Sequence, residues 1–388
     1  MKYFFVLGNH PALSVGELSE CLSLEAGQYL FPDIVLGEIK TPLILSDVIK
    51  KVGGTVKAGE IKTRVPARSS AIFDASLKIL EALPKKGKFN FGISTYGQKG
   101  ADSRKIGLAL KQELKNRGTS CRLVVSKEKT LSSVVVEQNK LLSSGKELVY
   151  IYTGNQVLIG TTEAVQPFKD LSVRDYGRPA RDDYSGMLPP KLAQIMINLG
   201  GNHINESLLD PFCGSGTIIT EAMLMGYDNI YGSDISKKAM SDTEKNVAWI
   251  QKKYGTKIKP HLQVSDAREL LKMHKKNSVR TIVTEVYLGP QRGQFNIGKI
   301  SQELGLLYQK VIQVFSELLA PGGRVVLALP AFIVKNQPTL LSLSFTPLKI
   351  VNPLPPVKNI PGVTERHTLL YGRPGQKVWR EIIVLEKK

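Results

Sequence analysis

The sequence predicts an α/β protein whose C-terminal half is built on a parallel, doubly wound sheet. From Ser207 onward, short apolar runs alternate with stretches of helical periodicity, an alternation typical of strands joined by helical crossovers. The first 165 residues alternate less regularly and predict two smaller units. We therefore expect an α/β domain over residues 1–55, an α+β domain over 56–165, a linker with a lead-in helix over 166–200, and the doubly wound domain over 201–388.

Length and composition are those of a folded, water-soluble protein. The 388 residues are 42% hydrophobic and 22% charged, and no apolar run reaches the roughly 20 residues that cross a bilayer. Glu17 and Glu20 follow the short apolar start, which does not fit a signal peptide. Cys21, Cys121 and Cys213 are widely spaced, which predicts a cytoplasmic protein without disulfides or zinc. The five histidines lack the spacing of a metal-binding helix, so we expect no metal and no membrane partner.

Excess positive charge indicates a polyanionic partner. Lys and Arg total 53 against 34 Asp and Glu, which gives a formal net charge of +19. Basic surfaces release counterions from phosphate backbones when they bind, but net charge does not distinguish RNA from DNA or an anionic membrane. Nine basic residues fall within thirty-one positions of the middle unit, which favours a phosphate-binding surface over a solvated helix face alone. They are Lys99, Arg104, Lys105, Lys111, Lys115, Arg117, Arg122, Lys127 and Lys129.

Alternation and helical spacing of apolar residues predict the elements of the N-terminal half. In residues 1–55 they predict strands Tyr3–Leu7 and Asp33–Ile39 and helices Ser14–Cys21 and Leu45–Val52. In residues 56–165 they predict strand Phe89–Tyr96, helix Ser103–Arg117, strand Cys121–Val125, a helical stretch Ser132–Leu142, and strands Glu147–Tyr152 and Gln156–Thr162.

The linker is predicted to be irregular because glycine and proline recur in it, at Gly177, Pro179, Gly186, Pro189 and Pro190. Pro190 can open a helix, since its fixed φ suits the first turn, and apolar residues follow it at helical spacing. The basic residues Arg174, Arg178, Arg181 and Lys191 have two interpretations: they contact RNA phosphates, or they pair with Asp182 and Asp183.

The C-terminal half reads as repeated β-α units that end in an antiparallel hairpin. The predicted strands are Leu208–Phe212, Asn229–Ser233, Lys259–Val264, Thr281–Glu285, Arg324–Leu329, Leu348–Val351 and Trp379–Leu385. The predicted helices are Thr217–Met225, Lys237–Lys253, Arg268–Lys272 and Gln302–Leu319.

The first strand of this half ends in the glycine-rich run Asp210-Pro211-Phe212-Cys213-Gly214-Ser215-Gly216-Thr217. Ligands of open parallel sheets bind beyond the carboxyl ends of the strands. Gly214 and Gly216 permit a tight turn and close approach of the backbone, and the helix that opens at Thr217 aims free N–H groups at the crevice. A nicotinamide-binding fingerprint needs a third glycine, and Ile219 stands in its place.

Acids end the next two strands of the predicted sheet. Asp234 lies eighteen residues beyond Gly216, where a carboxylate can accept hydrogen bonds from ribose hydroxyls. Asp266 ends the third strand and is placed to accept a hydrogen bond from an adenine amino group. The alternative for each aspartate is a helix N-cap. The predicted cofactor site combines these two aspartates with residues of the glycine-rich run and of the strand ends. Its residues are Asp210, Phe212, Gly214, Gly216, Thr217, Asp234, Ile235, Asp266 and Ala267.

The fourth strand ends in Thr284-Glu285-Val286-Tyr287. An amino group on a base is a poor nucleophile, so its methylation needs an acceptor for the N–H and an aromatic ring that holds the extruded base. Thr284, Glu285 and Tyr287 are therefore the candidate catalytic residues. The alternative is a packing tyrosine and a solvated acid.

Together these motifs resemble the THUMP-domain RNA methyltransferases, especially those that form N2-methylguanosine or N2,N2-dimethylguanosine at position 10 of tRNA. The resemblance rests on DPFCGSGT, YGSDIS and SDAR, preceded by RPARDDYSGMLPPKLAQIMINL, and on a THUMP-like region from FNFGISTYGQKG to NQVLIGTTEAVQPF. It implies a Rossmann-like class I methyltransferase domain, S-adenosylmethionine as cofactor, and a THUMP-like RNA-binding domain that grips tRNA. A monomer or a homodimer is expected.

One departure from that family concerns the fourth strand, where the family carries Asp-Pro-Pro-Tyr. Tyr287 matches, and either Thr284 or Glu285 aligns with the acid. Cys213 lies in the donor loop and not on the reacting strand, which disfavours it as a nucleophile for C5 methylation. The alternatives are an enzyme of this fold that acts on ribosomal RNA or DNA, and an RNA-binding protein that has lost the chemistry.

Overall fold

The computed structural model describes residues 2–22, 28–30, 33–83, 87–97, 102–181, 187–201, 203–290, 296–357 and 359–388. Contacts divide the chain into two compact units. The first unit holds Met1–Pro11, Leu24–Lys51 and Thr55–Phe168, and the second holds Ala12–Ser23, Val52–Gly54 and Lys169–Lys388.

The elements before the linker are, in chain order, β1 (Lys2–Leu7), α1 (Pro11–Leu22), β2 (Gln28–Leu30), β3 (Ile34–Glu38), α2 (Leu45–Lys51), β4 (Thr55–Pro66), α3 (Ser69–Glu81), β5 (Phe89–Gly97), α4 (Ser103–Asn116), β6 (Cys121–Val124), α5 (Ser133–Gln138), β7 (Gly145–Thr153) and β8 (Gln156–Val165).

The elements that follow are α6 (Phe168–Tyr176), α7 (Pro190–Leu199), β9 (Leu208–Asp210), α8 (Thr217–Met225), β10 (Ile230–Asp234), α9 (Lys237–Tyr254), β11 (His261–Val264), a 3₁₀ helix (Ala267–Lys272), β12 (Val279–Glu285), α10 (Ile297–Leu318), β13 (Leu319–Val334), β14 (Gln337–Leu340), β15 (Lys349–Val351), β16 (Leu369–Tyr371) and β17 (Val378–Glu386).

The first unit is built on one mixed sheet with the strand order β2-β3-β1-β4-β8-β7-β5-β6. Alternate residues of β7 serve two cores, because successive side chains of a strand point to opposite faces. Leu148 and Tyr150 pack with the apolar residues of α3 and α4, whereas Val149 and Ile151 pack with β1 and β3. Strands from both segments on either side of residue 55 belong to this sheet, and the predicted division into two domains stays a prediction.

The second unit contains the doubly wound sheet. Its strand order is β11-β10-β9-β12-β13-β17-β15, with β14 beside β13 and β16 beside β17. The five strands from β11 to β13 are parallel, and β17 pairs antiparallel with both β13 and β15. The predicted parallel sheet and its antiparallel closure are therefore confirmed.

Helix α10 covers one face of this sheet with an apolar stripe. Leu304, Tyr308, Val311, Ile312 and Phe315 recur at helical spacing and are all buried in the core of the second unit. This packing places the N-terminal half of α10 next to the end of β12, where the candidate catalytic residues lie.

Helix α1 belongs to the second unit, in which a buried acid anchors it. The Glu17 carboxylate accepts hydrogen bonds from the backbone N–H groups of Gly53 and Gly54, both at 2.8 Å, and from the Asn198 amide at 2.7 Å. Burial raises the pKa of Glu17 to about 7, although these hydrogen bonds oppose the rise.

The predicted irregular linker was partly wrong. Helix α7 begins at Pro190 as predicted, but α6 occupies Phe168–Tyr176 within the stretch assigned to loop. Apolar periodicity did not reveal α6 because its buried residues are Leu171 and the charged Arg174. The sequence also left β4 and α3 unassigned, between residues 55 and 81.

Within the described part of the chain, no helix combines the length and the apolar character that a membrane span requires.

Candidate active site

A cavity of about 650 Å³ lies in the second unit at the carboxyl ends of β9, β10 and β12. Two stretches of chain that follow the neighbouring strands β9 and β12 contribute to its lining: the glycine loop (Asp210–Thr217) and the tyrosine segment (Thr284–Pro290). The predicted site residues that line the cavity are Asp210, Phe212, Gly214, Thr217, Asp234, Ile235, Asp266, Ala267, Glu285 and Tyr287. Gly216 and Thr284 are not part of its lining.

The glycine loop turns through two left-handed residues. Gly214 has φ +53° and Gly216 has φ +81°, a region that side chains disfavour. A Cβ at Gly216 would lie 2.7 Å from Cγ2 of Thr243, so the position has no room for one. A Cβ at Gly214 would meet no atom within 4 Å, because the backbone of this residue is bare on its cavity side.

Helix α9 supports the glycine loop from behind. The Thr243 hydroxyl donates to the Gly214 carbonyl at 2.7 Å, and the Asn246 amide donates to the Ser215 carbonyl at 2.8 Å. Asn246 also exchanges two hydrogen bonds with the backbone of Ala180. Side chains of α9 thus hold two carbonyls of the loop, and the N–H groups of Cys213 and Gly216 donate to the backbone carbonyls of Ser233 and Cys213.

Asp234 closes the adjacent edge of the cavity. Its carboxylate accepts the N–H of Gly214 at 3.1 Å and the N–H of Ser236 at 2.9 Å. Each carboxylate oxygen of Asp234 therefore accepts one hydrogen bond and can accept another from a ligand donor.

Asp266 is a helix N-cap, which is the alternative that the sequence left open. It accepts the N–H of Arg268 at 2.9 Å, and the Arg268 guanidinium contacts both carboxylate oxygens. Hydrogen bonding from Arg268 holds the pKa of Asp266 below its ordinary value. A ligand amino group could bind this carboxylate only if the Arg268 side chain, which is half exposed, moved aside.

Asp210 joins the glycine loop to the tyrosine segment. Its Oδ1 accepts the Thr284 hydroxyl at 2.6 Å and the Phe212 N–H at 3.2 Å. Burial raises the pKa of Asp210 to about 7; both hydrogen bonds oppose the rise, and the nearby charges of Asp234 and Glu285 add to it. Thr284 is fully buried behind Asp210, so it supports that acid and does not reach the cavity. The catalytic assignment of Thr284 stays a prediction, and its position favours a supporting contact with Asp210.

Glu285 and Tyr287 are the two candidate catalytic residues that line the cavity from the tyrosine segment. The Glu285 carboxylate forms an ion pair with Arg380 of β17, and both side chains are largely buried. Tyr287 is 58% exposed, so its ring is open to a planar ligand. The buried hydroxyl of Tyr308 in α10 donates to the backbone carbonyl of Tyr287.

Two of the four basic linker residues, Arg174 and Arg178, are buried, which neither sequence interpretation expected. Arg174 is buried and pairs with Glu221 at 2.7 Å and with Asp170. Arg178 is also buried and donates to the Thr217 hydroxyl at 2.6 Å, directly behind the cavity. Asp182 and Asp183 lie outside the described residues. Arg174 and Arg178 are therefore internal supports of the second unit.

Basic side chains do cover part of the first unit. Arg104, Lys105 and Lys115 on α4 are exposed, as are Arg122 of β6 and Lys127 and Lys129 beyond it, whereas Arg117 pairs with Glu81 and Glu113. Lys99 lies outside the described residues.

Covalent catalysis by Cys213 finds little support at the cavity. Burial raises the pKa of the Cys213 thiol well above its ordinary value, which disfavours a thiolate nucleophile. A search of the described residues finds no group of three or more His, Cys, Asp or Glu side chains that could hold a metal ion.

Arg380 and Tyr308 were missed by the sequence analysis. They lie 95 and 21 residues from their partners in the tyrosine segment, and no local pattern marks either of them. Ser236 and Leu288 also line the cavity without having been predicted. Both directly follow residues that were considered, so extending the predicted strand ends would have included them.

Parts of the chain are similar to known methyltransferases. Residues 178–335 match the family model described as RMKL-like, methyltransferase domain, and residues 100–245 match the model described as DNA methylase. Over 150 residues (39% of this chain and 40% of the relative) the chain is 34% identical to the tRNA (guanine(10)-N2)-dimethyltransferase of Methanothermobacter thermautotrophicus. Over 209 residues (52% and 50%) it is 27% identical to the tRNA (guanine(6)-N2)-methyltransferase of Thermus thermophilus. The chain thus matches about half the length of these relatives.

Solved structures match along the whole chain. The crystal structure of TrmN from Thermus thermophilus aligns with a TM-score of 0.54 at 19% identity and covers 100% of both chains. The structure of SMU.472 complexed with SAH aligns with a TM-score of 0.51 at 11% identity and covers 100% of this chain and 98% of the other. The chain therefore has an α/β fold that includes a Rossmann-like methyltransferase domain.

Proposed function

We propose that this protein is an S-adenosylmethionine-dependent methyltransferase that modifies the exocyclic N2 of a guanosine in tRNA. The observation that carries the proposal is the cavity, which a glycine loop and strand-end acids line together with an acid and an exposed tyrosine. The similarity to tRNA guanine-N2 methyltransferases covers about half of those proteins and supports the same activity.

The donor side fits the cofactor. The bare backbone at Gly214 offers room for close approach, Asp234 retains acceptor capacity for ribose hydroxyls, and Ile235, 68% exposed at the rim, offers an apolar surface to a purine. Asp266 would accept the adenine amino group once Arg268 has moved. S-adenosylmethionine, when bound, supplies a methyl group activated by its positively charged sulfur.

The acceptor side fits a base that has been taken out of its stack. The Tyr287 ring would hold the guanine flat, since aromatic side chains stack on extruded bases. The Glu285 carboxylate would accept the N–H of the guanine amine and stabilise the positive charge that grows on the amine nitrogen. The proton leaves that nitrogen to the carboxylate or to water.

RNA binding is assigned to the first unit. Its exposed basic side chains suit a phosphate backbone, and the THUMP-like sequence of residues 56–165 suits an RNA-binding domain. We place the activity in the cytoplasm, where the three free cysteines would stay reduced. The expected monomer or homodimer stays a prediction.

The decisive experiment is methyl transfer from labelled S-adenosylmethionine to unmodified tRNA transcripts, followed by nucleoside analysis. Labelled N2-methylguanosine is expected. Asp234→Ala should abolish donor binding in calorimetry. Asp242→Ala is the matched control. Asp242 pairs with Lys238 and Lys245 of its own helix, α9, and does not line the cavity. Equal donor affinity in both variants would contradict the assigned donor site.

A second candidate is methylation of DNA, favoured by the match of residues 100–245 to a DNA methylase model. Duplex and single-stranded DNA should be offered in the same assay. Transfer to DNA but not to tRNA would replace the proposal, and donor binding without transfer to any nucleic acid would favour a protein that has lost its chemistry.

A further inference from the structure

The tyrosine segment is anchored within its own sequence by the buried side chains of Val286 and Leu288, and neither of them fixes Glu285 or the Tyr287 ring. β12 ends at Glu285, so Val286 to Gly289 lie beyond the ladder of the sheet. No proline restricts φ before Pro290, and Gly289 has φ +79°. A segment that must place a carboxylate and a ring within a fraction of an ångström therefore needs support from elsewhere in the fold.

Arg380 supplies one support. It lies on β17, opposite Pro330 of β13, and its Nε donates to the Glu285 carboxylate. The guanidinium is 10% exposed and the carboxylate 17%, so water screens the pair only weakly. A planar guanidinium fixes the orientation of a carboxylate.

Tyr308 supplies the second support. Its side chain is 1% exposed in the core of the second unit, and its hydroxyl donates to the backbone carbonyl of Tyr287. Burial raises the pKa of Tyr308 far above its ordinary value, so the hydroxyl remains a donor at every working pH. This hydrogen bond fixes the backbone from which the Tyr287 ring projects.

We infer that Arg380 and Tyr308 are positioning residues for methyl transfer: Arg380 orients Glu285 as the acceptor, and Tyr308 fixes the backbone that presents Tyr287. The inference rests on the proposed function, because it assigns these supports to the acceptor side of that reaction. Neither residue lines the cavity, so neither should contribute to donor binding.

The first test compares Arg380→Lys with Arg366→Lys. Arg366 is a matched control. It pairs with the buried Glu381, which is the neighbour of Arg380 on β17, and it does not line the cavity. Arg380→Lys should slow single-turnover methyl transfer about tenfold, because a misplaced reacting group costs one to two orders of magnitude. Donor affinity should change less than about twofold, and Arg366→Lys should retain the wild-type rate.

A double-mutant cycle separates positioning from mere stability. In Arg380→Met the guanidinium that orients the Glu285 carboxylate is gone, so kcat should fall while donor affinity and the KM for RNA change little. Glu285→Gln should also lower kcat, and adding Arg380→Met to Glu285→Gln should cost little more. Full additivity of the two substitutions would show that Arg380 does not act through Glu285.

The second test compares Tyr308→Phe with Tyr227→Phe. Both tyrosines are buried and donate to a backbone carbonyl, Tyr227 to that of Gly201 at 3.0 Å. Tyr308→Phe should accelerate hydrogen exchange of the amides of residues 285–289, whereas Tyr227→Phe should not. Because exchange is read without substrate, this test stands even if no RNA is methylated.

The outcomes for the function and for the inference are distinct. A wild-type protein that binds no donor and methylates no nucleic acid refutes the proposed function. An active wild type whose Arg380→Lys and Tyr308→Phe variants match their controls in rate and exchange overturns the inference alone.

Discussion

The glycine loop and the tyrosine segment line the same cavity, but they differ in how far the sequence reveals them. The glycine loop is shaped by features that can be recognised in the sequence: two left-handed glycines, an aspartate at the next strand end, and a helix that starts at Thr217. The tyrosine segment is held by Arg380 and Tyr308, which are distant in sequence and belong to other elements. Distant side chains hold both stretches, since Thr243 and Asn246 of α9 support the glycine loop, but only the glycine loop also carries left-handed glycines that mark it in the sequence.

The largest expected effect comes from the glycine loop. Gly216→Ala places a Cβ 2.7 Å from Cγ2 of Thr243 on a left-handed residue, so the loop must shift. Donor affinity should fall roughly a hundredfold or more, since small displacements of a binding loop have effects of that size. Calorimetric titration with S-adenosylmethionine measures it.

The matched control is Gly226→Ala at the other end of α8. Gly226 has φ +98° but open space around its Cβ, so this variant carries backbone strain of about 1–2 kcal/mol without a clash. Thr243→Ser removes Cγ2 while keeping the hydroxyl, and it should partly restore Gly216→Ala. If Gly216→Ala bound donor as well as Gly226→Ala, the close packing behind the loop would be irrelevant to the site.

The next largest effect is expected at Asp210, which joins the glycine loop to the tyrosine segment, and it concerns stability. Its folded pKa of about 7 exceeds the unfolded value of 3.8, so between these values the native state binds the extra proton and stability falls as pH rises. Asp210→Asn cannot ionise, so its stability relative to wild type should increase from pH 5 to pH 8 by a few kcal/mol. Urea unfolding at the two pH values measures it.

Glu17→Gln is the control for that prediction. Glu17 is equally buried, with a pKa also near 7, but lies outside the cavity. It should show the same dependence of stability on pH while leaving donor binding unchanged. A pH-independent difference between Asp210→Asn and wild type would mean that Asp210 ionises normally.

On the tyrosine segment, Tyr287→Ala should affect the nucleic acid and not the donor. Loss of base stacking is worth about 1–3 kcal/mol, which predicts a reduced kcat/KM for RNA at unchanged donor affinity. Tyr176→Ala is the control, because Tyr176 is 65% exposed and does not line the cavity. Equal kcat/KM values for the two variants would remove Tyr287 from the site.

The smallest effect is expected at Asp266. Asp266→Ala loses an N-cap, which costs about 1 kcal/mol of stability, and donor affinity should fall only a few-fold because Arg268 already occupies the carboxylate. Asp102→Ala, which removes the N-cap of α4 in the first unit, should match it in stability and leave donor affinity intact. A loss of donor affinity as large as that of Gly216→Ala would mean that Arg268 leaves the carboxylate at little cost.

Much of the fold could be predicted because its signals are local. The bounds of α8 were predicted without error, from Thr217 to Met225, since glycines mark both of its ends. Helix α6 was missed because Arg174 occupies its buried face, where the contacts with Glu221 and Asp170 compensate its charge. Periodicity detects apolar faces and not buried ion pairs.

The sequence alone determined the doubly wound sheet, the glycine loop and the strand-end acids, because backbone conformation and alternation of apolar residues act over short spans of chain. The tertiary structure alone decided that Glu285, and not Thr284, reaches the cavity, since strand pleat turns one side chain toward Asp210 and the other outward. It alone brought Arg380 and Tyr308 to the tyrosine segment. Those contacts depend on the packing of β17 and α10 around β12, which no short stretch of sequence contains.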